Sequence, residues 1–328
     1  MKGPSNTRSL KGKIQAYLVD QLNAKLAYPF EPQAIPTYIF ILTQLLCVVA
    51  TFYWFGFTTD LPIFTAAITW MFVALAGIML RRIHFPRFGA AMEASALLYG
   101  QGVVSIPLVI TIGAFNAPWA DSLINSWDLL LGFSWREAID ILQPFQSVWQ
   151  FSYNTFIWQG WIVISILAFQ NRLERLWVMV AASTLALIVV SATFVWMPAR
   201  AAYAFYGFAP GEGPEAALSF LTPLTYIREG GRHITFSTIS GMVSFPSYHA
   251  ASGVIFTWSC WQTRLRVPFL LLNVGLLIGT ISVGGHYLSD VLAGVLLAGG
   301  SIMLSTHLVR YSARSGRVPS SAANPSPD

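Results

Sequence analysis

The feature that most constrains this chain is the recurrence of apolar runs long enough to cross a bilayer. A membrane helix needs about 20 predominantly apolar residues. Runs near that length recur at about 36–57, 63–80, 90–114, 151–170, 176–197, 250–264, 268–285 and 288–309. The run near 250 is short and extends into its flanks. Of 328 residues, 55% are hydrophobic and only 10% are charged, with a mean hydropathy of +0.58. Soluble domains carry about 25% charged residues, and a soluble all-α protein would need far more polar surface than this. The expected fold is all-α, a polytopic membrane helix bundle of about eight spans.

The net charge of +5 does not point to nucleic acid, because the basic residues cluster at the ends of apolar runs. With the N-terminus inside, only Arg136, Arg200, Arg228 and Arg232 of the 19 basic residues fall outside. That asymmetry predicts both termini cytoplasmic, in a bacterial inner membrane or its equivalent. It places the loops before the sixth span and between the seventh and eighth on the outer, periplasmic or lumenal, face.

Residues 1–35 form a basic segment whose 14–28 stretch reads as an amphipathic surface helix, not a cleaved signal peptide. Two spans occupy 36–88, the remaining six lie in 89–310, and 311–328 is a disordered cytoplasmic tail. Of the long outer loops, 115–149 carries Trp119, Trp127 and Trp135 among alternating polar groups, which suggests interfacial helices. The other, 198–248, contains a turn at 210–214. Cys47 and Cys260 sit inside apolar runs and read as buried core residues without metal-ligand spacing.

The residues with chemistry lie mainly between Ser244 and Gly294. Pro246-Ser247-Tyr248-His249 stands where a loop becomes a helix, so Ser247 is an N-cap candidate. The first N–H groups of that helix would favour an anion, with His249 close by. Farther on, His286 and Asp290 are four residues apart and would share a helical face. A carboxylate on one imidazole nitrogen fixes the tautomer and raises the basicity of the other nitrogen, making histidine a competent nucleophile. A bland reading, a structural His–Asp pair, competes with this, but ionisable groups near membrane spans are costly unless used. Gly284 and Gly285 would let the backbone approach a ligand. Arg228 and Arg232, also four apart, could clamp phosphate or anchor to headgroups; Arg200 is a weaker candidate.

Pro246-Ser247-Tyr248-His249 and His286-x-x-x-Asp290 resemble the second and third motifs of the type 2 phosphatidic acid phosphatase superfamily. Tyr248 stands where that family has Gly. Gly279 and Thr280 replace the Ser-Arg that opens its third motif, and the Lys-x6-Arg-Pro first motif is not found. Ser-Phe-Pro-Ser-x-His with Gly-His-Tyr-x-x-Asp is similar to the inositol phosphorylceramide synthases and related sphingolipid synthases.

The resemblance implies a six-helix catalytic core in 89–310 and a phosphohistidine route without metal or cofactor. It implies His286 as nucleophile, Asp290 as its orienting partner and His249 as general acid. Phosphate binding would fall to Arg228, Arg232, Ser247, Gly285 and backbone N–H groups. The reaction so implied moves a phospho-headgroup from a phospholipid donor to a lipid or polyol alcohol. Water as acceptor would make it a broad lipid phosphate phosphatase, acting on phosphatidic acid or a polyprenyl pyrophosphate. A non-catalytic lipid transporter would not need the His–Asp pair; a haem protein using both histidines as axial ligands would not need Pro-Ser beside His249.

Overall fold

The computed structural model describes residues 31–209, 211–235 and 245–315. The expectations for residues 14–28 and for the tail beyond 315 lie outside these, as does Pro210 of the expected turn. The described chain is almost entirely helical. Helices α1 (Ile35–Phe55), α2 (Leu61–Arg82) and α3 (Pro86–Ile112) come first. The segment after α3 folds as α4 (Asp121–Leu130), α5 (Trp135–Leu142) and α6 (Gln146–Asn154). Then follow α7 (Phe156–Phe169) and α8 (Leu173–Phe194). After two single turns the chain forms α9 (Leu221–Arg228), and beyond it α10 (Tyr248–Cys260), α11 (Arg266–Ser282) and α12 (Leu288–Ser315).

Apolar helices therefore occupy all the expected span positions. Five of them, α1, α2, α3, α8 and α12, are long and apolar enough to cross a membrane. The others, α7, α10 and α11, are shorter. The expected 151–170 span breaks at Thr155, whose hydroxyl donates to the Ser152 carbonyl at 2.6 Å.

Helix α8 is the axis of the bundle. Leu176, Trp177, Val178, Met179, Val180, Ala181 and Ala182 are all buried, so these nearly two turns have no outward face. Around it pack α3, α7, α10 and α12. Helices α1 and α2 lie at the periphery, only 17% of each span buried against 67% for α3 and α8. Cys47, expected in the core, is on the outer face of α1, whereas Cys260 is buried. An apolar run longer than its contact stripe leaves some of its residues facing lipid.

Small residues set the close crossings, as in other membrane bundles. A Cβ on Gly89 would lie 2.5 Å from the Gly77 carbonyl oxygen, so α2 and α3 touch backbone to backbone. Gly279 of α11 meets the Trp149 carbonyl of α6 in the same way, at 2.8 Å. Gly294 of α12 lies directly against the Ser247 carbonyl and Ala250 at the start of α10. That last crossing brings the two motif-bearing helices together. One two-residue parallel bridge, β1 (Thr58–Thr59) with β2 (His233–Ile234), ties the α1–α2 turn to the segment after α9.

Candidate active site

Ser247 caps α10. Its backbone is extended and its Oγ accepts the Ala250 N–H at 3.4 Å. Its own N–H donates to the Asp290 carbonyl at 3.0 Å, which pins the start of α10 to the start of α12. The turn between α11 and α12 is held as firmly. The His286 N–H reaches the Thr280 carbonyl at 3.1 Å, and Trp135 Nε1 donates to the His286 carbonyl at 3.2 Å.

His286 precedes α12, so it does not share a helical face with Asp290. Asp290 occupies the third position of α12, and its Oδ2 reaches back to the Tyr287 N–H at 3.0 Å, the acidic half of a capping box. From there the same oxygen lies 3.1 Å from His286 Nδ1. A carboxylate holding the Nδ1 proton leaves the lone pair on Nε2. That nitrogen faces Ser247 Oγ at 3.4 Å. His286 is only 3% exposed and Asp290 is fully buried.

His249 stands across from this pair. Its ring stacks on Tyr153 with centroids 4.7 Å apart and lies 4.5 Å from the Phe156 ring. Both histidines line one cavity of about 410 Å³ among α3, α7, α8 and α10. The rest of its wall is largely apolar: Leu98, Ile106, Val109, Ile157, Leu187, Val190 and Phe256. Hydrocarbon can therefore lie against the imidazoles. Tyr248, in place of the small residue of the related motif, contributes to this wall and packs edge-on against Phe156.

The cationic residues are less uniformly placed. α9 stops at Arg228, and Gly230 (φ +103°) turns the chain away, so Arg228 and Arg232 share no helical face. Arg228 donates to the Ala117 carbonyl at 2.9 Å and lies 4.0 Å over Trp119. Arg232 is used within its own loop, donating to the Ile227 and Gly231 carbonyls at 3.1 and 2.7 Å. Arg200 lies on the strap that abuts the turn carrying His286, since the Ala202 N–H two residues on donates to the Gly285 carbonyl at 2.8 Å. Its side chain is 41% exposed and also faces Trp119. Gly285 has φ +71°, and a Cβ there would lie 2.8 Å from that of Ala217. A Cβ on Gly284 would meet the Thr280 carbonyl at 2.7 Å. Turn geometry at Gly285 and close packing at both positions require glycine whatever else the turn does.

Two carboxylates that the sequence reading passed over hold this region together. Asp128 accepts the Leu288 N–H at 2.8 Å, the Ser289 N–H at 2.7 Å and the Ser289 hydroxyl at 2.5 Å. It thus caps α12 from another helix. Asp121 accepts the Arg200 N–H on both oxygens, at 3.0 and 3.1 Å, and the Tyr287 hydroxyl at 3.1 Å. Burial raises the Asp121 pKa, against the opposing pull of Arg200 and Tyr287. Burial and the Asp121 carboxylate likewise raise that of Tyr287. The available signal was their spacing: seven apart, Asp121 and Asp128 fall on one helical face. Trp135, expected at the interface, is 1% exposed and stacks on Tyr206 at 5.2 Å. Among the described residues, no group of His, Cys, Asp and Glu side chains is placed to hold a metal ion.

Residues 122–304, from the start of α4 to well into α12, match the PAP2 superfamily, the type 2 phosphatidic acid phosphatases. Neither the curated proteins nor the solved structures contain a chain that matches this one.

Proposed function

Because the chain belongs to the PAP2 superfamily, we propose that it transfers a phospho-headgroup between lipid alcohols through a phosphohistidine on His286. The observation that carries this reading is the His286–Asp290 pair facing His249 across a cavity whose walls suit hydrocarbon. In the first step the Nε2 lone pair of His286 attacks phosphorus. The bond from phosphorus to the donor's oxygen breaks, and His249, in the imidazolium form that the bound anionic phosphate favours, gives that oxygen its proton. Asp290 holds the imidazolium that forms. In the second step His249 takes a proton from the acceptor hydroxyl, whose oxygen attacks phosphorus as the P–N bond breaks. His286 is regenerated and no net proton is released.

Ser247 Oγ and the free N–H groups of the first turn of α10 would hold the phosphoryl oxygens. Arg200 and Arg228, both facing Trp119, would supply positive charge beside the turn that carries His286, Arg200 sharing its guanidinium with Asp121; Arg232 would act through its loop. The absence of an arginine at Thr280 suits a phosphodiester, which carries less charge than a phosphomonoester. Helices α4 and α5, clamped over the start of α12, support transfer rather than hydrolysis, because they help keep water from the intermediate. The basic residues Arg172, Arg264 and Arg310 border cavities at the far ends of the helices from His249 and His286, which supports an outer-face site with both termini cytoplasmic.

The test is product analysis with a phosphodiester lipid donor and a ceramide, diacylglycerol or inositol-type acceptor. A new headgroup-bearing product is expected. If only free headgroup or inorganic phosphate appears with every acceptor, the enzyme is a lipid phosphatase.

A further inference from the structure

We propose that the end of the bundle opposite the histidines carries a second, non-catalytic site that binds a phosphate group. A cavity of about 310 Å³ lies between the start of α8, the end of α10 and the last third of α12. Arg172, Arg175 and Arg310 converge on it from these elements and the turn before α8. A neighbouring cavity of about 270 Å³ shares Arg172 and Gln262 and adds Arg264. Glu174, the acid in this lining, is already paired to Arg310 at 2.8 Å.

The guanidinium groups are positioned rather than loose. Arg175 lies 4.2 Å over the Trp258 ring and donates to the Trp258 carbonyl, while its buried Nε has no hydrogen-bond partner among the described residues. Arg172 donates to Gln262 at 3.3 Å. Like charges gathered in one cavity repel, and an anion relieves that cost. α8 begins at Leu173, so the unpaired N–H groups of its first turn add their partial positive charge at the same place. Guanidinium forks and helix amides together match the tetrahedral oxygens of a phosphoryl group. The ligand is either the headgroup of an anionic phospholipid, basic pockets between membrane helices being suited to one, or a free phosphate. Because α10 and α12 carry His249 and Asp290 at their other ends, occupancy would brace the helices that form the catalytic site. The binding proposal itself does not depend on the reaction catalysed.

The full chain, purified in neutral detergent, gives the reference thermal midpoint. One arm compares phosphatidylcholine nanodiscs with and without phosphatidylglycerol; the other compares inorganic phosphate with chloride at equal ionic strength in detergent. A rise of about 3 °C is expected in at least one arm. A rise with phosphatidylglycerol identifies the headgroup, and a rise with phosphate alone identifies a soluble ligand. Arg172→Gln combined with Arg310→Gln should abolish the rise, while Arg136→Gln at the other end should leave it intact. If the double variant does not fold, Arg264→Gln takes its place and should reduce the rise. No rise in either arm overturns the proposal, as does a rise that the variants at this end leave unchanged.

Discussion

Two buried ionic networks lie in this bundle, and their contrast shows how purpose can be read from structure. Between α1, α2 and α3, Glu93 accepts the Tyr38 hydroxyl at 2.6 Å on one oxygen and Arg81 Nε at 2.7 Å on the other. Arg81 reaches on to Glu31 at 3.3 Å. Both oxygens of this carboxylate are used by the protein, and it holds the two peripheral helices to α3. Between α10 and α12, Asp290 and His286 are as deeply buried, but Asp290 Oδ1 has no partner among the described residues and His286 borders a cavity. A charge among membrane spans is costly in either place. In the first network the protein itself answers the charge on both oxygens; in the second, one carboxylate oxygen has no partner among the described residues and the imidazole borders a cavity. Burial and pairing alone therefore do not mark a functional site.

The sharpest way to break this contrast is to remove each network's central group. His286→Ala should lower turnover by about 10³-fold or more with the protein still folded, and Asp290→Asn by about 10²- to 10⁴-fold, leaving a trace from a poorly oriented imidazole. Turnover per folded molecule, with folding judged by size-exclusion profile, measures both. Undiminished turnover in His286→Ala would end the phosphohistidine reading. Glu93→Leu should do the reverse. Leaving Arg81 with only the more exposed Glu31 as partner costs about 3 kcal/mol of stability, seen as a lower thermal midpoint, while turnover per folded molecule stays within about two-fold of the parent, as expected for a site remote from the chemistry.

A smaller effect separates the scaffold of the site from its chemistry. Asp128→Ala removes the cap of α12 and should cost about 1–2 kcal/mol, with kcat falling more than KM rises, because the turn carrying His286 loosens. Equal stability of the variant and parent in a urea titration would show that other groups satisfy the α12 terminus.

The smallest effect concerns pH. Asp121 titrates above its ordinary value of 3.8 when folded, so the folded state binds more protons than the unfolded state in the interval above that value. Its contribution to stability therefore declines as pH rises through that interval. Asp121→Asn should flatten this decline in the thermal midpoint. An unchanged slope would assign the pH dependence to other groups.

Much of the architecture was legible because spanning a bilayer imposes a length and a composition that a sequence displays openly. The meeting of His286 and Asp290 was legible for a less direct reason. The spacing of His286 and Asp290 was read as a shared helical face, whereas His286 lies outside α12 and a capping-box contact makes the meeting. Ser247 was recognised by the local chemistry of helix starts, which depends on few neighbours. The arginines were not legible in this way. Four-residue spacing suggested that Arg228 and Arg232 act together, but Gly230 and Gly231 end the helix between them.

What the sequence by itself determined is the set of apolar helices, the cap at Ser247 and the types of group available for phosphoryl chemistry. Each follows from interactions within a few residues or from the bilayer's demand on a continuous run. Only the tertiary structure decided that Gly294 would let α10 and α12 meet, that Asp128 would cap a helix 160 residues away in sequence, and that the Arg200 strap would lie beside the turn carrying His286. It also decided that Trp135 would be core and Cys47 would face outward. Those outcomes depend on which faces of distant helices pack together, and residue spacing along one chain does not specify that choice.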